Sequence, residues 1–442
     1  MLARYVAPLF LTFSCLAQNA TISGVVTDSS TRMPLQGAQV TAANATARTD
    51  IEGRYTLSVA PAEGIRIDAR RNGYFAAAAA EELGALAAGQ SQSRDFTLRP
   101  LLKISGSIDE TGCQVFALRR VSALGRFWYV PYGLSTADTR AGKFEIRNLV
   151  PGEYVLEIVP ESTGSDHCRG WSYYPGAGRI EMAAPISVLA TDTALNIRFA
   201  HRDLRSISGT VTVPSSLQLI RYVAGEIRIV ARLNVIKRGP FQIDGVPEGD
   251  YHLIAVTASG LASDTEVSVL EHDVSGLFIE PEPGVQISGT VRTDDDSPVP
   301  QSVKIGMRRA GGRNPWIVET VLSNVSGGKF EILKTATSDP QIAVMGLPKD
   351  YAVTPESTNF NWVLTRQRGT LAGDAKQEDI VLMPGAISLA GAFSITLAPG
   401  AYRVLRLSGD EKLLHSDREF LNAKAEQSES IEIRPGQTTT LP

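Results

Sequence analysis

Five histidines, His167, His201, His252, His272 and His415, are the first residues to test for chemistry. A zinc peptidase centre needs a His and a Glu three apart plus a distant His, leaving one coordination position open. None of the five is followed by Glu at the third position. A serine hydrolase presents its nucleophile on a sharp turn, and no Gly-x-Ser-x-Gly occurs. His201 and Asp203 lie two apart in a segment that reads as a solvated link between domains. His167 beside Cys168 reads as a bystander to a loop disulfide. His252 reads as an ordinary sheet residue. Asp294, Asp295 and Asp296 offer carboxylate oxygens, but calcium takes 6 to 8 and the spacing fits a solvated turn better. No cofactor is expected. The strongest ligand candidates are aromatic. Trp128, Tyr129, Tyr132, Trp171, Tyr173 and Tyr174 fall in two connecting segments of one domain. They could stack on sugar rings, pack into a core or form an interface.

The composition limits the field. The chain has 442 residues with Gly 39 and Pro 24, charged residues at 20% and a formal net charge of −4. That suits a turn-rich all-β protein of several domains and opposes disorder, a nucleic-acid patch or a polybasic anchor. The N-terminus reads as an export signal over residues 1–17. Arg4 precedes an apolar run from Tyr5 to Leu16, and small residues follow at Ala17 and Ala20. An uncleaved apolar first strand is the alternative. A lipid anchor at Cys15 fits worse, because Thr12-Phe13-Ser14 lacks the usual preceding pattern. No later run is long enough to cross a bilayer. Cys113 and Cys168 then remain, an even pair that reads as a disulfide in an exported chain. Its loop of about 55 residues gives ~4 kcal/mol as an upper figure.

The elements that must position these residues repeat. In Gly142–Ile158, Phe144 and Ile146 alternate with charged residues, Pro151-Gly152 supplies a turn, and Tyr154, Leu156 and Ile158 resume the alternation. This predicts a strand, a turn whose Gly takes φ > 0, and a return strand. Openings of the type Ile-Ser-Gly recur at Ile22, Ile104, Ile207 and Ile287. With the variant opening Ile387-Ser-Leu they divide the chain into units 18–99, 100–202, 203–283, 284–384 and 385–442. The period exceeds that of a solenoid, so each unit is expected to hold its own core. The alanine-rich run Phe75–Ala88 reads as an irregular connection with room for a short helix. Asp379–Leu382 is expected to close the fourth unit. The fifth runs from Ile387 almost directly into Phe393 and lacks two strands, so it is expected to lean on the fourth or to mark an association surface. The fold class is all-β, a tandem string of antiparallel β-sandwich domains.

Ile-Ser-Gly-x-Val, Thr-Asp-x-x-Gly-x-Tyr and Pro-Gly-x-Tyr resemble the carboxypeptidase regulatory-like domain family, best over residues 21–98. The resemblance implies transthyretin-like, Ig-like sandwiches grouped with carbohydrate-binding-like folds. Ser172-Tyr-Tyr-Pro-Gly176 and the tail His415–Leu421 look like large secreted bacterial proteins built from such units. The fourth unit departs, offering Leu347-Pro-Lys-Asp-Tyr351 for the Pro-Gly-x-Tyr. These motifs are turns and strands, specific for fold and silent on chemistry. The function they suit is an exported, non-enzymatic scaffold or adhesion protein, periplasmic or at the cell surface. A carbohydrate-binding protein and an accessory subunit of an enzyme or transporter encoded elsewhere are the alternatives. The expected partners are a glycan or another cell-envelope protein, and no nucleic acid.

Overall fold

The computed structural model describes residues 18–441, apart from 63, 77–80, 109–111, 133, 137–141, 161–170, 190–192, 198–203, 224–225, 284, 310–320, 335–339 and 359. The expected signal segment, His167, Cys168, His201 and Asp203 therefore lie outside the described residues. The chain is all-β and forms two compact units, residues 1–102 and 103–442.

In the first unit, strand Ala20–Asp28 buries Ala20, Ile22, Val26 and Asp28, the period of a half-buried strand. It pairs antiparallel with Arg54–Val59 and parallel with Phe96–Pro100. A second sheet carries Ala45–Arg48, Gln39–Ala42, Ile65–Arg70 and Glu81–Leu83. Ile22, Val40, Leu57, Ile67 and Leu98 fill the space between them. The described part of the alanine-rich run holds no helix. Tyr74–Ala76 pairs with Phe96–Pro100 and Glu81–Leu83 with Ile65–Arg70.

The Ile-Ser-Gly signature has a backbone cause. A Cβ on Gly24 would stand 1.8 Å from the Arg94 carbonyl oxygen. Gly209 meets the Leu277 oxygen at 2.2 Å and Gly289 the Phe360 oxygen at 2.0 Å in the same way. At each site a carbonyl in the closing parallel strand or in the residues that lead into it comes so close to the opening strand that only glycine leaves room.

The second unit holds the remaining sandwiches. In the second sandwich, Lys143–Leu149 pairs in the sheet of Leu102–Ile108, while Gly152–Pro160 pairs with Cys113–Ala123 in the other. The expected strand and return strand are thus not hydrogen-bonded to each other; the Pro151-Gly152 turn carries the chain across the core. Strands Gly239–Val246 and Gly249–Val256 repeat this crossing in the third sandwich. A tyrosine closes each corner. Tyr154 Oη donates to the Val150 oxygen at 2.7 Å, Tyr251 to Pro247 at 2.8 Å and Tyr402 to Ala398 at 3.0 Å. This is the tyrosine-corner device, which ties the incoming chain to the next strand. Tyr351 is different. It follows the crossed-over strand Pro340–Met345 instead of preceding it, and its buried hydroxyl has no partner among the described residues.

The fifth sandwich corrects two expectations. Gly369–Met383 is one 15-residue strand, so Asp379–Leu382 does not close the fourth unit, and the boundary expected at 384/385 falls inside a hairpin. Its first half pairs with the end of Ile387–Leu397 and in parallel with Thr438–Thr440; its second half pairs with Gly400–Leu407. These are the pairings that the third sandwich makes with seven strands. The strands are fused, with the crossing at the irregularity between Ala375 and Ile380, and none is missing. Between Gly400–Leu407 and Glu429–Ile433 lies a 3-10 turn, Gly409–Leu414, and helix Arg418–Lys424, capped where Asp417 accepts from the Phe420 amide at 3.0 Å.

Two measurements check these local causes. Tyr402→Phe should cost about 1 kcal/mol in urea unfolding, whereas Tyr351→Phe should cost close to nothing, because only the first hydroxyl has a bond to lose. Gly24→Ala should destabilise the first unit by about 3 kcal/mol, whereas Gly84→Ala, facing open space, should be near neutral.

Candidate functional site

The second sandwich owes its arrangement to strands buried on both faces. Cys113–Ala123 and Gly152–Pro160 pair with Ala117 opposite Leu156 and Leu118 opposite Val155. Val115, Ala117, Tyr154, Leu156 and Ile158 face inward and are buried. The opposite face is covered as well. Leu118, Val155 and Tyr173 pack with Ala177 and with Val223 of the third sandwich, and Tyr129 and Ile180 lie against this group.

Cys113–Ala123 also runs past its own core. At the far end, Val121, Ala123, Trp128 and Val130 stay on the inward face but pack against Val381, Leu405, Leu414, Phe420 and Leu421 of the fifth sandwich. Trp128 meets Phe420 edge-on, with centroids 5.3 Å apart and planes at 82°. Its indole N–H donates to the Ala123 oxygen at 3.0 Å. The fifth sandwich therefore leans on the second, through apolar side chains supplied by its strands and its helical insertion alike. It also approaches the fourth, where a Cβ on Gly400 would lie 2.5 Å from Pro355 Cγ.

Arg119 sits where the second core ends and the fifth sandwich begins. One terminal nitrogen donates to the Pro151 oxygen at 3.0 Å and to Tyr154 Oη at 3.3 Å; the other reaches both Asp410 oxygens at 2.9 Å. The guanidinium carbon lies 5.8 Å from the Tyr132 ring centre and 5.7 Å from that of Tyr154. Burial opposes its charge, yet Asp410 and the Tyr154 oxygen outweigh that and hold its pKa above the ordinary arginine value. A Cβ on Gly152 would come within 2.6 Å of the guanidinium. Gly152 has no left-handed backbone; the expected φ > 0 appears instead at Asn148. This glycine is needed for clearance. Arg126 and Glu419 add an exposed rim pair at 2.6 Å.

The seam with the third sandwich is also polar at its centre. Arg221 donates to Tyr173 Oη at 3.3 Å and to the Gly178 oxygen at 3.4 Å, and it lies between the rings of Tyr173 and Tyr251. Burial pushes the Tyr173 hydroxyl pKa up despite the neighbouring arginine, and Tyr251 is pushed up to about 12 in the same way. Glu157, buried on the seam face, stands 3.9 Å from Arg228, and Arg179 meets Asp250 at 3.0 Å.

The six aromatic candidates do not gather into one platform. Trp128 and Tyr173 are buried, so neither offers a ring face to a sugar. Tyr132 is half-buried beside Arg119, and Tyr129 lies against the seam. Trp171 and Tyr174 are half-buried. Cys113 is buried and disulfide-bonded; Cys168 lies outside the described residues. His252 Nδ1 is 2.9 Å from Asp264, across a strand pair. Asp294 accepts from the Thr365 hydroxyl at 2.6 Å, and Asp295 accepts from the Ser297 amide at 3.1 Å. Among the described residues no three His, Cys, Asp or Glu side chains are grouped to hold a metal. Sequence reasoning missed Arg119, Asp410 and Phe420. The signal for the last two was Ser408-Gly-Asp-Glu411 and Asp417 ahead of Phe420-Leu421, the residue types that start helical turns.

No curated protein matches the chain. Solved structures that match include the Bacillus anthracis TIE protein, at 11% identity and TM-score 0.20, over 60% of this chain and 51% of that one. The chain thus spans about half the length of that protein. A variant of BcpA, the major pilin subunit of Bacillus cereus, matches at 10% identity and TM-score 0.17, over 60% of this chain and 99% of that one. A variant of shaft pilin SpaA from Lactobacillus rhamnosus GG matches at 12% identity and TM-score 0.23, over 42% of this chain and 98% of that one. The first sandwich carries the family relation that the turn motifs imply: residues 21–99 match the carboxypeptidase regulatory-like domain.

Proposed function

We propose that the chain is an exported, non-enzymatic scaffold or adhesion-type protein of the cell envelope. Residues 1–17 act as its export signal, and Cys113 pairs with Cys168. One observation carries the reading: the side chains best suited to bind a ligand are used to join sandwiches to one another. Trp128 and Tyr173, the two most enclosed of the aromatic set, each sit at such a junction. A protein that spends its aromatic surface internally uses it to join its domains to one another, which suits a scaffold better than a ligand-binding module.

Mature protein on a polysaccharide array, with Trp171→Ala in parallel, tests this. The scaffold reading expects no retention of either protein. Retention of the wild type, lost in Trp171→Ala while thermal stability is kept, would overturn it in favour of glycan binding through the half-buried Trp171 and Tyr174.

A further inference from the structure

The contact between the second and fifth sandwiches differs from the sandwiches it joins. Among the described residues no strand of one is hydrogen-bonded to a strand of the other. The apolar part consists of side chains alone, with Val121, Trp128 and Val130 on one side and Val381, Leu405, Leu407, Leu414, Phe420 and Leu421 on the other. Its polar part is unevenly built. Arg119 keeps the Pro151 oxygen, Tyr154 Oη and two aromatic rings within its own sandwich, whether or not Asp410 is present. The Asp410 side chain is 54% exposed and Glu419 73%, so both are ready to rehydrate. Separation therefore costs Arg119 its carboxylate but leaves its other terminal nitrogen hydrogen-bonded within its own sandwich, and it breaks no strand ladder. What it uncovers is an apolar face centred on Trp128, whose indole N–H stays bonded to Ala123. The contact joins segments 291 residues apart in sequence.

We propose that the fifth sandwich is a reversible cap, which lifts from the second as a folded body and uncovers the face formed by Val121, Trp128 and Val130. Opening is a sub-global event of lower free energy than unfolding of either sandwich. The inference does not rest on the scaffold reading, since it concerns only the conformational equilibrium of the chain.

A matched pair of cysteines in the full chain tests it. Val115 and Val130 lie on the same face of the same sheet; the first is buried under its own core and the second under the fifth sandwich. In native buffer Val130→Cys should react with a maleimide at least about tenfold faster than Val115→Cys. Adding Asp410→Asn and Glu419→Gln should speed the first about threefold and leave the second unchanged. Equal rates for the two cysteines, or equal acceleration of both, would overturn the proposal. Acrylamide quenching of Trp128, isolated by subtracting the Trp128→Phe signal, gives a second readout free of added thiols. The rim substitutions should raise quenching with far-UV circular dichroism unchanged, and unchanged quenching would contradict the cap.

Discussion

The buried guanidinium of Arg119 is the constraint on which the second sandwich and its junction depend. A charge in that position must be hydrogen-bonded, because leaving it unpaired in a low-dielectric interior is costly. The chain meets the requirement with the corner that crosses its own core. The Pro151 oxygen and Tyr154 hydroxyl both lie at the Pro-Gly-x-Tyr turn. Gly152 is the residue that lets the guanidinium pass over the backbone. The motif that repeats along the chain as a folding device thus has a second use here. It aims Arg119 out of the sandwich at Asp410, so that the end of one core becomes the start of a junction.

Burial on both faces follows from strand length. A sandwich strand with one wet face alternates apolar and polar residues, and one covered twice does not. Gly152–Pro160 carries Tyr154, Val155, Leu156, Ile158 and Val159 in near succession, and only Glu157 interrupts them. That interruption lies on the face turned to the third sandwich, where Arg228 approaches it. Cys113–Ala123 is long enough to serve its own core with one half and the fifth sandwich with the other. The second sandwich is thereby a hub, enclosed by neighbours on one face and at one end.

Local rules made part of this legible. Period-two alternation, Pro-Gly turns and the Ile-Ser-Gly openings identify strands and their punctuation, and at Gly24, Gly209 and Gly289 the glycine is explained by one carbonyl that comes close. Topology was harder. A turn motif does not say whether two strands pair or cross between sheets, so Pro-Gly-x-Tyr gave away the turn and not the crossing that its tyrosine closes. The fifth sandwich looked truncated because Gly369–Met383 and Ile387–Leu397 each do the work of two strands, which removes the turns that announce them. The junctions were hidden for a physical reason. Periodicity reports that a face is buried but not what covers it, and the covering residues lie some 290 positions away. Trp128 could be recognised as a candidate for burial, interface or ligand. Phe420, its partner, could not be inferred before the helix that presents it was known.

The most direct test of the account is the coupling between Trp128 and Phe420. A double-mutant cycle with Trp128→Leu and Phe420→Leu, read from urea unfolding of the full chain, isolates that contact from the cost of each truncation. An edge-on aromatic pair that joins the second and fifth sandwiches predicts a coupling energy of about 0.5 to 1.5 kcal/mol. Strictly additive effects would contradict the junction on which this reading of the molecule rests.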